Sequence, residues 1–234
     1  MQPNPKIQPS EKPHYHGHRD RLRQRFAENG AEALADYELL ELVLFLAIPQ
    51  RDVKPLAKTL LARFGGLAEI MNAPMEELVK IEGIKENTAI ALQSITALST
   101  RAMKNELMKK PILNSWARLM DYCVATMAHE TREHFRVIFL SKKNEMIADE
   151  ILGSGTVDHA PAYPREIMKR AIELGATALI LVHNHPSGDS RPSQADIDMT
   201  RNIIRAAEPF NILIHDHVII SKNGYSSFKN QGLI

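Results

Sequence analysis

Residues 176–182 (ATALILV) form a nearly unbroken apolar run that stops at His183, Asn184, His185 and Pro186. No other stretch restricts the fold as tightly. A short apolar run bounded by Gly175 and Pro186 reads as a strand buried on both faces. Successive strand residues point to opposite faces, so His183 and His185 project from one side at the strand's C-terminal end while Asn184 points away. Downstream, Ser193 and Asp196 precede Ile197, Thr200, Ile203, Ile204 and Ala207, a helical stripe that stops before Pro209. Ser193 is the expected N-cap, and Asp196 falls in the first helical turn. From there its carboxylate can fold back towards the imidazoles. Two neutral imidazoles and a carboxylate make a three-ligand set for Zn²⁺, one per chain, with the fourth tetrahedral position left for water. The same Ser-x-x-Asp pattern also reads as a capping box in which Asp196 serves only the helix N-terminus.

His-x-His recurs at His14, His16 and His18 and again at His215 and His217. The first group follows a polar stretch carrying Pro3, Pro5, Pro9 and Pro13, so residues 1–17 read as a solvated tail. The second lies inside an apolar strand over residues 211–221, where it can supply ligands or hydrogen bonds to the first pair. Pro186, Ser193 and Asp196 distinguish His183 and His185 from both. The string His-x-His-Pro followed by Ser-x-x-Asp resembles the JAMM motif of MPN-domain metalloproteases, and HNHPSGD with Pro-Ser before the last Asp is similar, more narrowly, to the RadC family. That resemblance implies an MPN domain over residues 112–234 holding zinc. It implies hydrolysis of a peptide or isopeptide amide bond in a protein or peptide substrate, with Ser193 donating to the developing oxyanion. RadC-like sequences carry an Asp-His pair at the position of Asp216 and His217, which assigns these two to structure or to hydrogen bonds around the site.

A general base is still needed. In residues 133–152, Phe135, Val137 and Phe139 alternate with His134, Arg136 and Ile138, and a Lys-Asn turn leads into a second strand, so the segment reads as a β-hairpin. Glu133 shares the parity of the three apolar residues, and a core-facing carboxylate is expensive without a partner. The MPN resemblance implies a catalytic glutamate on an early strand of this kind. Glu133 is the choice, with Glu150 on the second strand as the alternative.

The N-terminal half reads differently. Arg19, Arg21, Arg23 and Arg25 crowd one helix start, surrounding it with charge rather than forming a single stripe, placed either to touch phosphates or to pair locally with Glu28, Glu32 and Glu38. Short helices over 36–48, 52–64, 67–71 and 75–80 imply an all-α domain over residues 18–104, followed by a linker at 105–111. Within it, LVKIEGIKENTAIAL (78–92) resembles a helix-hairpin-helix DNA-binding module. Gly83 matches the hairpin glycine, and Lys85 stands where a second glycine is common. The resemblance implies non-specific phosphate contact through backbone N–H groups; a purely structural helical hairpin is the other reading. The expected fold is thus an α/β (α+β) MPN/JAMM-like domain, its central mixed sheet flanked by helices, behind a small all-α domain of helix-hairpin-helix type. A non-enzymatic, DNA-repair-associated accessory protein, using the helical region for DNA or a partner, is the alternative to a hydrolase.

Composition narrows the field. The net charge of +1 gives no bulk electrostatic case for nucleic acid. One cysteine, Cys123, allows no intramolecular disulfide and fits the cytoplasm; it also excludes the usual Cys-x-x-Cys zinc site of a nucleobase deaminase. The run Leu39 to Ile48 is too short for a membrane span and is interrupted by Glu41.

Overall fold

The computed structural model describes residues 17–155 and 162–234. The expected tail, with His14 and His16, lies outside them. The chain divides into two units between Ala97 and Leu98. No helix among the described residues is long and apolar enough to cross a membrane.

The first unit is helical: α1 (His18–Asn29), α2 (Asp36–Ala47), α3 (Lys54–Phe64), α4 (Leu67–Asn72), α5 (Met75–Leu78) and the first part of α6 (Glu86–Leu107). Leu40, Leu44 and Phe45 of α2 meet Leu60, Ile70, Leu78 and Leu92 in its core. Ala35, rather than Asp36, occupies the N-cap of α2, and its N–H donates to the Glu38 carboxylate at 3.0 Å. The arginines of α1 are largely spent on the fold. Arg19 lies 4.4 Å from the centroid of the Phe45 ring and donates to the carbonyls of Ile48 (2.6 Å) and Arg51 (2.5 Å), which closes the C-terminal end of α2. Arg25 pairs with Glu38, and Arg23 with Asp20.

Helix α6 runs through the expected linker as far as Leu107. Leu107 is buried in the core of the second unit, and that apolar contact keeps the chain helical past residue 105. The turn comes only as Pro111 approaches, where continued helix would lose a backbone hydrogen bond.

The second unit is a five-stranded mixed sheet of order β2-β1-β3-β4-β5. Its strands are β1 (His134–Leu140), β2 (Met146–Ser154), β3 (Ala178–Asn184), β4 (Leu213–Ser221) and β5 (Gly224–Ser227). β1 is antiparallel to both β2 and β3, β3 and β4 are parallel, and β4 and β5 are antiparallel. The parallel pair is linked through α9 (Gln194–Ala207), the crossover that parallel strands require. Both faces of the sheet are covered. On one, Ile138, Ile180, Val182 and Val218 pack with Leu119 and Cys123 of α7 (Trp116–Met127). On the other, Phe135, Val137, Leu179 and Leu181 pack with Ile167 of α8 (Pro164–Glu173) and Ile203 of α9. Every residue of β3 is buried, as its sequence predicts. Burial pushes the Cys123 thiol up to about 12, so it is an inert apolar filler.

One buried charge pair braces the α7 face. Arg136, only 7 % exposed, donates to both carboxylate oxygens of Asp149 (3.2 and 3.0 Å) and to the Tyr122 hydroxyl (3.1 Å). Tyr122 in turn donates to Asp149 at 2.5 Å. Removing the acid strands the guanidinium in a site closed to water. Asp149→Ala is expected to destabilise the protein by about 3–5 kcal/mol, read as a lower urea midpoint with an unchanged denaturant slope.

Candidate metal centre

The site forms where β3 runs out and α9 begins. His183 lies on the α8/α9 face of the sheet with Leu179 and Leu181, in keeping with strand alternation. His185 sits one residue beyond the strand, but its N–H still donates to the Ile220 carbonyl at 2.8 Å, so the chain keeps the direction of the sheet. Ser193 is the N-cap of α9. The Asp196 N–H donates to Ser193 Oγ at 3.2 Å, while Ser193 N–H (2.7 Å) and Oγ–H (2.6 Å) donate to Asp196 Oδ2. The capping box therefore forms, and it leaves Asp196 Oδ1 facing His183.

The three side chains predicted as ligands do come together. Their donor atoms lie within 4.8 Å of one another. His183 Nε2 and His185 Nε2 are 2.9 Å apart. His183 Nε2 is 3.3 Å from Asp196 Oδ1, and His185 Nε2 is 3.6 Å from Asp196 Oδ2. A tetrahedral ion with donors at about 2.0–2.1 Å has donor–donor edges of about 3.3–3.4 Å; the His183–Oδ1 separation matches, the two imidazole nitrogens are closer, and the His185 separation runs to the other carboxylate oxygen. The residues fit zinc in both chemistry and spacing. His183 is buried, whereas His185 and Asp196 are half-buried and Ser193 is exposed, so the cluster opens on its α9 side.

Environment sets the charge of each group. Burial holds the His183 imidazole below its ordinary pKa, against the opposing pull of Asp196. His185 is raised, first by its contact with Asp196, despite partial burial. Burial alone would raise the Asp196 carboxyl, but hydrogen bonds with both histidines, the charge of His183 and the Ser193 hydroxyl hold it far below the carboxylate range. His185 Nδ1 lies 2.7 Å from the Asp189 carbonyl. A carbonyl only accepts, so Nδ1 carries a hydrogen, and Nε2 is the nitrogen that faces His183 and Asp196.

Residues 113–233 match the family described as a RadC-like JAB domain, and residues 16–90 match one described as UPF0758 N-terminal. The chain belongs to the RadC family. All three clustered side chains, together with Glu133, Glu150 and Ser193, fall within the RadC-like JAB match, while Gly83 and Lys85 fall within the N-terminal one.

Glu133 is half-buried and immediately precedes β1, one residue short of the strand it was expected to open. In the β1–β3 register Phe135 faces His183, and carrying the antiparallel register two residues further each way sets Glu133 against His185. Its charge raises the His185 pKa, as that proximity requires. Glu150 is engaged elsewhere: Arg170 of α8 holds it through Nε (2.9 Å) and Nη2 (2.7 Å), which lowers its pKa. His215 also stands apart, bound to Asn144 Oδ1 at 2.6 Å. Gly83 adopts φ +95° in the turn before α6, with Leu56 3.6 Å and Arg51 3.9 Å from where a Cβ would lie. Lys85 is exposed, and its carbonyl accepts the N–H groups of Thr88 and Ala89 at the start of α6.

Two contributors were not legible as such. Asn184 was expected merely to point away. It does, and there its Oδ1 accepts the His134 N–H (2.8 Å) while its Nδ2 donates to the Arg132 carbonyl (3.0 Å), clamping both sides of Glu133. Strand parity gave its direction, but the partner is a distant backbone that no local pattern reveals. Thr200 was read as part of an apolar stripe. Its position one turn after Asp196 was the available signal, since its hydroxyl donates to the Asp196 carbonyl at 2.6 Å and meets His217 Nδ1 at 2.6 Å. Asn184→Ala leaves two backbone groups unpaired at the end of the buried strand. A loss of about 1–3 kcal/mol is expected, measured by chemical denaturation of the metal-free protein.

Proposed function

We propose that this RadC-family protein is a zinc-dependent hydrolase that cleaves a peptide or isopeptide amide bond in a protein or peptide substrate. The observation that carries the reading is the convergence of His183, His185 and Asp196, whose donor atoms lie within 4.8 Å of one another. Zinc bound there would supply Lewis acidity, polarising the substrate carbonyl and lowering the pKa of coordinated water. Glu133, beside His185, takes the proton of the attacking water and returns it to the leaving amine nitrogen. Asn184 holds the backbone on either side of Glu133 and so sets the reach of that carboxylate. The Ser193 hydroxyl is directed at Asp196, orienting this ligand; donation to an oxyanion requires it to leave that contact. Glu150, tied to Arg170, is the weaker choice for the base.

About one zinc per chain is expected by elemental analysis, lost in His183→Ala and retained in His215→Ala. Glu133→Gln should keep the metal and lose about 10²–10⁴-fold in peptidase activity, and a chelator should abolish activity. Protonation of an imidazole competes with metal, so zinc affinity rises with pH and levels off above the raised His185 pKa. Below that pKa it falls by about tenfold per pH unit. Purified protein that takes up no zinc sinks the reading.

One observation supports a second activity in the N-terminal unit. The positive-φ turn at Gly83, followed by exposed Lys85 at the start of a 22-residue helix, suits backbone contact with a phosphate. Fluorescence anisotropy with a duplex should then show binding that weakens steeply with salt. Absence of binding, or binding with no salt slope, removes the DNA reading.

A further inference from the structure

We infer that Thr200, acting through His217, fixes the tautomer of His183 and so determines which nitrogen that residue presents to the cluster. The inference rests on the reading of His183 as a metal ligand, and it is carried by a chain of three short contacts closed to water. Thr200 and His217 have no exposed surface, and His183 is 2 % exposed.

The direction of the chain follows from its end. Thr200 Oγ1 lies 2.6 Å from the Asp196 carbonyl oxygen, which has no hydrogen to give. The single hydroxyl hydrogen is therefore spent on that carbonyl. Thr200 Oγ1 also lies 2.6 Å from His217 Nδ1, where it can now only accept, so Nδ1 carries the hydrogen. In a neutral imidazole the other nitrogen is then bare, and an imidazolium at this fully enclosed position would be a buried charge facing a hydroxyl and another imidazole. His217 Nε2 is 2.8 Å from His183 Nδ1, which must be the donor in that contact. His183, with its hydrogen on Nδ1, has a bare Nε2, the nitrogen that faces His185 Nε2 and Asp196 Oδ1. The reverse arrangement would leave two acceptor oxygens 2.6 Å apart and put a hydrogen where the cation is to sit.

The rings are packed against reversal. Phe135 stacks on His183 with planes 17° apart, and Phe228 stacks on His217 with centroids 4.5 Å apart. The relay also returns to its origin. The residue whose carbonyl sets the first hydrogen is Asp196, whose carboxylate is another of the three ligands. Its spacing to Thr200 is one helical turn, so α9 joins two ligands through its own backbone. Thr200 and His217 are positioning residues: they touch no substrate and act by presenting a lone pair instead of a hydrogen.

The test uses full-length protein carrying ¹⁵N-labelled histidine. Long-range ¹H–¹⁵N spectra of the metal-free form should show His183 as the Nδ1–H tautomer, its signals assigned by their loss in His183→Ala. Thr200→Val removes the hydroxyl at nearly constant volume. His183 should then shift towards the Nε2–H tautomer, and zinc affinity, measured by competition with a chelating dye, should fall by about 10–100-fold. Thr200→Ser should restore both. The inference is overturned by an Nε2–H tautomer of His183 in the wild type, or by wild-type tautomer and affinity in Thr200→Val. A Thr200→Ser protein as impaired as Thr200→Val also overturns it, since the methyl group would then be what matters. If no variant binds zinc, the hydrolase reading fails while the spectra still decide the tautomer.

Discussion

Because β3 is hydrogen-bonded along both edges, to β1 and to β4, and packed on both faces, its register cannot slip by one residue without inverting every side chain it carries. That constraint positions the chemistry. His183 emerges on the α9 side because Leu179 and Leu181 must, and Asn184 emerges on the other because Val182 must. Sites on rigid elements hold their geometry better than sites on loops. Here the rigid element ends within the site, so one histidine is fixed by the sheet and the next is held by a backbone hydrogen bond to β4 and by the Asp189 carbonyl.

Much of this was readable in the chain. The apolar run, its abrupt polar end and the Ser-x-x-Asp cap are local patterns, and local patterns translate directly into strand and helix. What could not be read depends on contacts between remote segments. Asn184 finds its partners at Arg132 and His134, and Thr200 meets His217 only because α9 packs across the strand that follows it. The stretch expected as a linker at residues 105–111 is helical as far as Leu107 and leaves the helix only from residue 108, because burial of Leu107 in the sheet's core extends the helix. Glu133 fell one residue outside its strand, and its closeness to His185 depends on pairing between β1 and β3 rather than on the parity that singled it out.

The arginines of α1 show how a dense charge pattern can be consumed internally. Arg19 is bound to two carbonyls and an aromatic face, and Arg25 to a carboxylate that also receives a backbone N–H. Arg19 satisfies a carbonyl left over at the end of α2, and Arg25 also donates to the Ala33 carbonyl.

The clamp made by Asn184 divides the centre into parts of different ancestry along the chain. His183, His185 and Asp196 come from one short segment, and closing so small a loop costs little chain entropy. Glu133 arrives from some fifty positions away, through pairing of β1 with β3 and the Asn184 hydrogen bonds. Bringing the two imidazoles and the Asp196 carboxylate together is thus a property of a local segment, whereas placing Glu133 beside them is a property of the whole sheet. Fraying at the N-terminal end of β1 would withdraw the Glu133 carboxylate while the other three side chains stayed together, so the cluster can lose one member within one native fold.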